Sequence, residues 1–261
     1  MKEQPKMGMN RTGVQMSPLH SGEMTDAIAT LMHATPGDAD AMARIRSDYA
    51  EEADPLGSVP VPGTVKGAFT MGVSMVTGNV PQLLIDKLGE RLAFERTGTR
   101  LYDALIAKIQ ALEPNNISTL SIEKLQQIRD DEARHFALVA KAIRGLGGDP
   151  TAQTPCADVA GMESSGLMQT VTDPRTTSAQ ALHAILVAEL ADNSGWELLI
   201  ALAEQQHHDA MAADFRVVLE QERKHLLQIR SWFEEATLGS ALLHEPATDP
   251  ATQPAGGPQL H

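Results

Sequence analysis

Six residues stand where a helical core would hold apolar side chains, and their types are those that bind metal ions. Apolar residues recur at steps of three and four through Ile85, Leu88, Leu92, Tyr102, Ile106 and Ile109, and Glu95 falls inside that stripe. Glu132 and His135 interrupt the stripe of Leu125, Ile128, Val139 and Ala142. Glu189, followed by Asp192 and Asn193, interrupts Leu182, Ile185, Trp196 and Ile200. Glu222 and His225 interrupt Met211, Phe215, Val218, Ile229 and Trp232. A Glu and a His three residues apart lie on one helix face, about one turn apart, and can reach the same ion.

Four unpaired carboxylates in one core would each cost several kcal/mol, on the order of the penalty for a buried charge. Two divalent cations remove that cost, because four glutamates and two neutral histidines carry a charge that two M²⁺ ions balance. The donor set is hard and rich in oxygen, which suits iron or manganese better than copper. The alternative is a bundle with buried Glu–Arg or Glu–His pairs and no metal.

Placement carries this reading more than the motif does. Glu204 and His207 form a third Glu-x-x-His, beside His208 and Asp209 at a helix end, and are expected to be solvated. An internal repeat strengthens the case. Glu95 precedes Glu132, and Glu189 precedes Glu222, so each half reads as a Glu on one helix and Glu-x-x-His on the next. Tyr102 follows Glu95 by two turns, and Trp196 follows Glu189 by the same distance. Tyr102 is a candidate hydrogen-bond donor or one-electron relay, with a core tyrosine as the alternative, and Trp196 a core residue. Asp131 is a candidate partner for a ligand histidine, with a solvated acidic face as the preferred reading.

The elements that must carry these residues are four long helices, over about 82–112, 119–144, 178–205 and 209–238. Pro114-Asn115-Asn116 ends the first, and the glycines of 145–148 end the second. Short loops make the first and second helices one antiparallel hairpin, and the third and fourth another. Residues 149–177 show no clear period and are long enough to cross the length of a bundle. Upstream, a short helix is expected over Met24–His33, a second over Asp38–Glu52, an extended run over Pro55–Pro62 and a weak amphipathic segment over Val65–Val76. The organisation expected is therefore an N-terminal extension over 1–80, partly helical and partly extended, an all-α four-helix domain over 81–239, and a disordered tail over 240–261 rich in Pro, Ala, Thr and Gly.

The chain has 261 residues, a formal net charge of −13 and a single cysteine, Cys156. The acidic balance disfavours nucleic acid as a partner. One cysteine excludes an intrachain disulfide and a rubredoxin-like site. No apolar run reaches bilayer length and the N-terminus lacks a signal-peptide stretch, so a cytoplasmic protein without membrane contact is expected.

With these residues in place, the chain resembles the ferritin-like di-iron carboxylate superfamily over about 82–238. A Glu, a Glu-x-x-His, a Glu and a Glu-x-x-His on successive helices match its ligand pattern, a pattern described for these proteins in general. The run Phe94-Glu95-Arg96 through Tyr102 is similar to the first helix of rubrerythrins and bacterioferritins. The resemblance implies a ferritin-like bundle with one long crossover between its second and third helices. It implies two iron ions, with manganese or a mixed Mn/Fe pair as alternatives. Glu132 and Glu222 would bridge the ions, Glu95 and His135 would terminate one, and Glu189 and His225 the other. It implies an oxidoreductase that reacts with O₂ or H₂O₂, with or without a small organic substrate, or else an iron-handling ferroxidase or storage protein. A non-catalytic helical binding protein of the same fold is the third reading. The missing rubredoxin-like domain implies an external electron donor. The N-terminal extension and tail would crowd a closed shell, so a homodimer or other small oligomer is expected.

Overall fold

A computed structural model describes residues 39–62, 66–69, 81–112 and 117–242, together with Glu23, Asp26, Ala27 and Gly72. These residues hold helices and turns and no strand. No helix among them is long and apolar enough to cross a membrane. The chain divides into two compact units, Met1–Pro55 and Leu56–His261. The first contains α1 (Ala39–Glu52), which buries no residue. The residues that follow, up to Pro62, have no helix or strand. The helix expected over Met24–His33 and the segment expected over Val65–Val76 lie mostly outside the described residues, as does the tail beyond Leu242.

The second unit contains α2 (Pro81–Ala111), α3 (Ile122–Gly145), α4 (Pro155–Thr172), α5 (Ser178–Gln205) and α6 (Asp209–Leu242). Two apolar clusters show how they run. Tyr102, Leu105 and Ile109 late in α2 pack with Leu125 and Ile128 early in α3, Leu182 and Ile185 early in α5, and Ile229 and Trp232 late in α6. Leu84 and Leu88 early in α2 pack with Val139 and Ile143 late in α3, Trp196 and Leu199 late in α5, and Phe215 and Val218 early in α6. So α2 and α6 point one way, and α3 and α5 the other. The six candidate ligands fall between the two clusters, in a polar layer closed above and below by apolar side chains.

Because α3 and α5 are parallel, the chain between them must return along the whole bundle. Sequence periodicity leaves this stretch without an element, but it contains α4, whose 18 residues span about 27 Å. Its inner face explains why no apolar stripe betrays it. That face is Ala157, Ala160, Ser164 and Val171, small residues that let α4 lie close along α2 and α5. Gly161, Gly166 and a Ser-Ser pair lower its helix propensity further. The start signal was present, since the Thr154 hydroxyl accepts from the Ala157 amide and Pro155 opens the helix. Gly89 on α2 leaves room for the Thr154 side chain. The other end is tied down by Lys108, which donates to the carbonyls of Asp173 at 2.8 Å and Thr176 at 3.1 Å.

The hairpin ends follow their turn chemistry. Ser121 caps α3, and Thr177 with Gln180 forms a capping box on α5. Gly147, with φ 84°, turns the chain at the end of α3, and the Gly148 amide returns to the Ile143 carbonyl at 2.9 Å.

Candidate metal centre

Glu95, Glu132, His135, Glu189, Glu222 and His225 are all buried, Glu95 and Glu222 completely. Each of α2 and α5 supplies one carboxylate, and each of α3 and α6 a carboxylate and a histidine. They form two overlapping groups, Glu95–Glu132–His135–Glu222 and Glu132–Glu189–Glu222–His225, in each of which the ligand atoms lie within 4.8 Å of one another. Glu132 and Glu222 are common to both. Such groups can hold metal ions.

The histidines present Nδ1 to the carboxylates. His135 Nδ1 lies 2.5 Å from Glu222 Oε1 and 3.8 Å from Glu95 Oε2. His225 Nδ1 lies 3.2 Å from Glu222 Oε2 and 3.5 Å from Glu132 Oε1. Their outer nitrogens face hydrogen-bond acceptors, Gln221 Oε1 for His135 and Asp131 Oδ2 for His225, both at 3.3 Å. An acceptor on Nε2 keeps a proton there and leaves the Nδ1 lone pair for a cation.

A metal fits this donor set on the evidence of its orphaned atoms. Both oxygens of Glu95, Oε1 of Glu132 and Oε2 of Glu189 are buried without a hydrogen-bond partner. Buried polar atoms are ordinarily paired, and these point at each other.

Without a cation the electrostatics are those of a crowded cluster. Burial, and then repulsion by Glu132, push Glu95 well above the usual carboxylate range, against the pull of Arg91. Burial, Glu222 and Glu132 do the same to Glu189. Burial would also raise Glu222, but its contacts with both histidines bring it down to about 2. Burial would lower His225, but Glu132 and Glu222 overcome that and raise it to about 11. Protons thus do the balancing in the metal-free cluster.

The residues around the candidate ligands correct one sequence reading. Asp131 is buried rather than on a solvated face, and it joins His225, Gln221 and Arg134. Asp192 lies outside both ligand groups and is held by Arg91, a buried arginine whose guanidinium also lies over the Phe94 ring at 4.6 Å. Gly195 makes room for it, since a Cβ there would collide with the guanidinium. Gly98 does the same for Glu132, whose Oε2 would be 2.5 Å from an added Cβ. Arg91, Gly98 and Gly195 carry no sequence signal of these roles. Gln221 does carry one, because it occupies the position in the repeat that Asp131 occupies in the first half.

Tyr102 is buried, and its hydroxyl donates to Glu189 Oε1. Trp196 is core, edge-on to His135 with ring centroids 6.0 Å apart. Comparison with family models, curated proteins and solved structures gives no match to this chain. The third Glu-x-x-His is spent elsewhere: Glu204 pairs with Arg216, and His207 sits at the helix end with φ 60°. A groove of about 550 Å³ beside it is lined by His207, His208 and Asp209, and no ligand group among the described residues includes them. A groove of about 360 Å³ between α3 and α6, which touch at few points, reaches Asp131, Gln221 and His225.

Proposed function

We propose that this chain is a ferritin-like di-metal oxidoreductase, with iron as its metal and O₂ or H₂O₂ as its oxidant. One observation carries the reading: two groups of buried carboxylates and histidines, with oxygens of Glu95, Glu132 and Glu189 unpartnered, share Glu132 and Glu222, so two ions held there would sit side by side. The parallel α3 and α5 joined by a long return helix agree with the bundle topology that supports such centres. Two adjacent redox-active ions supply a pair of electrons to a bound oxidant.

The protein's own contribution is positional. Glu95 and His135 would complete one position, Glu189 and His225 the other, and Glu132 and Glu222 would span both. The apolar clusters on either side exclude water. The Tyr102 hydroxyl, kept protonated by burial and by Glu189, orients that carboxylate and is the nearest oxidisable ring bonded to a ligand. The groove between α3 and α6, lined in part by His225, gives a small reactant an approach to the cluster. With Cys156 the only cysteine, electrons would come from an external donor.

The test is anaerobic reconstitution of the whole chain with Fe(II), followed by elemental analysis and a spectrum after O₂ or H₂O₂. Two ions per chain and an oxidant-dependent absorption band support the reading. Absence of bound iron overturns it.

A further inference from the structure

The two halves of the site repeat residue by residue, but their outer contacts do not. Asp131 precedes Glu132 on α3, and Gln221 precedes Glu222 on α6. Each crosses to the histidine of the other helix, at equal distances of 3.3 Å. The Gln221 amide then donates to Asp131 Oδ1 at 3.5 Å, so one chain of hydrogen bonds joins the backs of both imidazoles. Both acceptors select the same tautomer, yet they differ in charge. A carboxylate behind an imidazole strengthens it as a ligand, and a neutral amide does so far less.

A second contrast points the same way. Arg91 Nη1 lies 3.6 Å from Glu95 Oε1 and competes for its charge. The equivalent place before Glu189 is taken by Ile185. Asp192 shares the charge of Arg91, so this contrast adds less than the first. Arg134 likewise contacts Asp131, but from an exposed position where water screens it. The Tyr102 hydroxyl on Glu189 pulls in the opposite direction as a neutral donor, weaker than a charged one.

We infer that the two positions hold divalent cations unequally. The position of Glu189 and His225 fills first and binds more tightly, and Asp131 and Gln221, acting through the histidines, set that order. The inference rests on the di-metal reading and adds to it which ion is the resident one and which the exchangeable one.

Anaerobic calorimetric titration of the full chain with Co(II) tests it. Wild type should show two steps, and Asp131→Asn should weaken the tight step about 10–100-fold while leaving the other. His135→Ala should keep the tight step and His225→Ala should lose it. In the exchanged variant Asp131→Asn/Gln221→Glu, which keeps the charge, that dependence should reverse, an outcome that a merely structural role for Asp131 would not produce. Circular dichroism confirms that each variant is folded, and Gln221→Glu alone, which should strengthen the weaker step, provides the second measurement if one variant is not. Two equal steps in wild type, an equal loss at both steps in Asp131→Asn, or a tight step surviving in His225→Ala would overturn the inference alone. No Co(II) binding to wild type would overturn the di-metal reading along with it.

Discussion

Arg91 on α2 is paired with Asp192 on α5, and the side chains of both are only 4% exposed. A buried pair of this kind is costly to break from one side, because the remaining charge is stranded. Asp192→Ala should therefore lower unfolding free energy by about 3–5 kcal/mol, whereas joint replacement of both residues by apolar ones of similar size should be much milder. Urea denaturation measures both. Gly195→Ala should also destabilise, by forcing the guanidinium away. Because Asp192 lies outside the ligand groups, folded Asp192→Ala should still hold two ions per chain. Loss of one ion would mean that Asp192 either binds it or keeps Arg91 from Glu95.

The histidines should divide cleanly by role. His135→Ala or His225→Ala should each reduce the metal content of reconstituted protein, and His207→Ala should leave it at the wild-type level. Elemental analysis after gel filtration decides the matter, and dependence on His207 would place the site at the wrong end of the bundle.

Metal should stabilise the fold in proportion to its affinity. At free Fe(II) 100 times above Kd the gain is about 2.7 kcal/mol, a rise in Tm of roughly 5–10 °C for a domain of this size. Glu132→Ala should shrink that rise and abolish oxidant-driven turnover. Its metal-free protein should melt close to the wild type, since one of four crowded carboxylates is gone and a cavity together with the lost contact to His225 offsets the gain. Should the metal leave the wild-type melt unmoved while the variant simply melts lower, the glutamate is structural.

Metal-free protein should lose stability as pH rises. His225 is near 11 in the folded chain against 6.5 ordinarily, so between those values the folded state holds a proton that the unfolded state has released. Its contribution is complete below 6.5 and lost as pH approaches 11. Glu95 and Glu189, raised well above 4.5, act in the same direction above that pH. Glu222, lowered to about 2, contributes above 4.5 and is lost as pH falls towards 2. Metal binding displaces protons, so it strengthens with pH. The gap between metal-free and Fe(II)-loaded melting temperatures should widen from pH 6 to pH 8, and a constant gap would contradict this.

The bundle was legible where each helix has a clear stripe. The boundaries expected for α2, α5 and the start of α6 fall within a residue of those observed, because the apolar periods are long and, around α2, end at prolines. The buried cluster of four glutamates and two histidines was legible because a polar residue inside an apolar stripe needs a reason. The return helix was not, because its inner face is built from small residues that periodicity does not register. Nor was the Arg91–Asp192 pair, which depends on Gly195 lying opposite the guanidinium, a contact between residues about a hundred positions apart. Asp131 looked solvated because acidic residues flank it at 130 and 132, and only the crossing to His225 makes it an inner group.

The sharing of Glu132 and Glu222 also bears on when the site can exist during folding. The hairpin of α2 and α3 owns three members of one group and borrows Glu222, while the hairpin of α5 and α6 owns three of the other and borrows Glu132. Neither hairpin alone has a finished set. The complete pair of groups needs both hairpins docked, with α4 carrying the chain back between them, so on the proposed reading full ion uptake would follow that docking. On the di-metal reading proposed above, each ion would then act as a rivet between the two halves, and a nascent chain stalled before α6 would have no complete place to hold one.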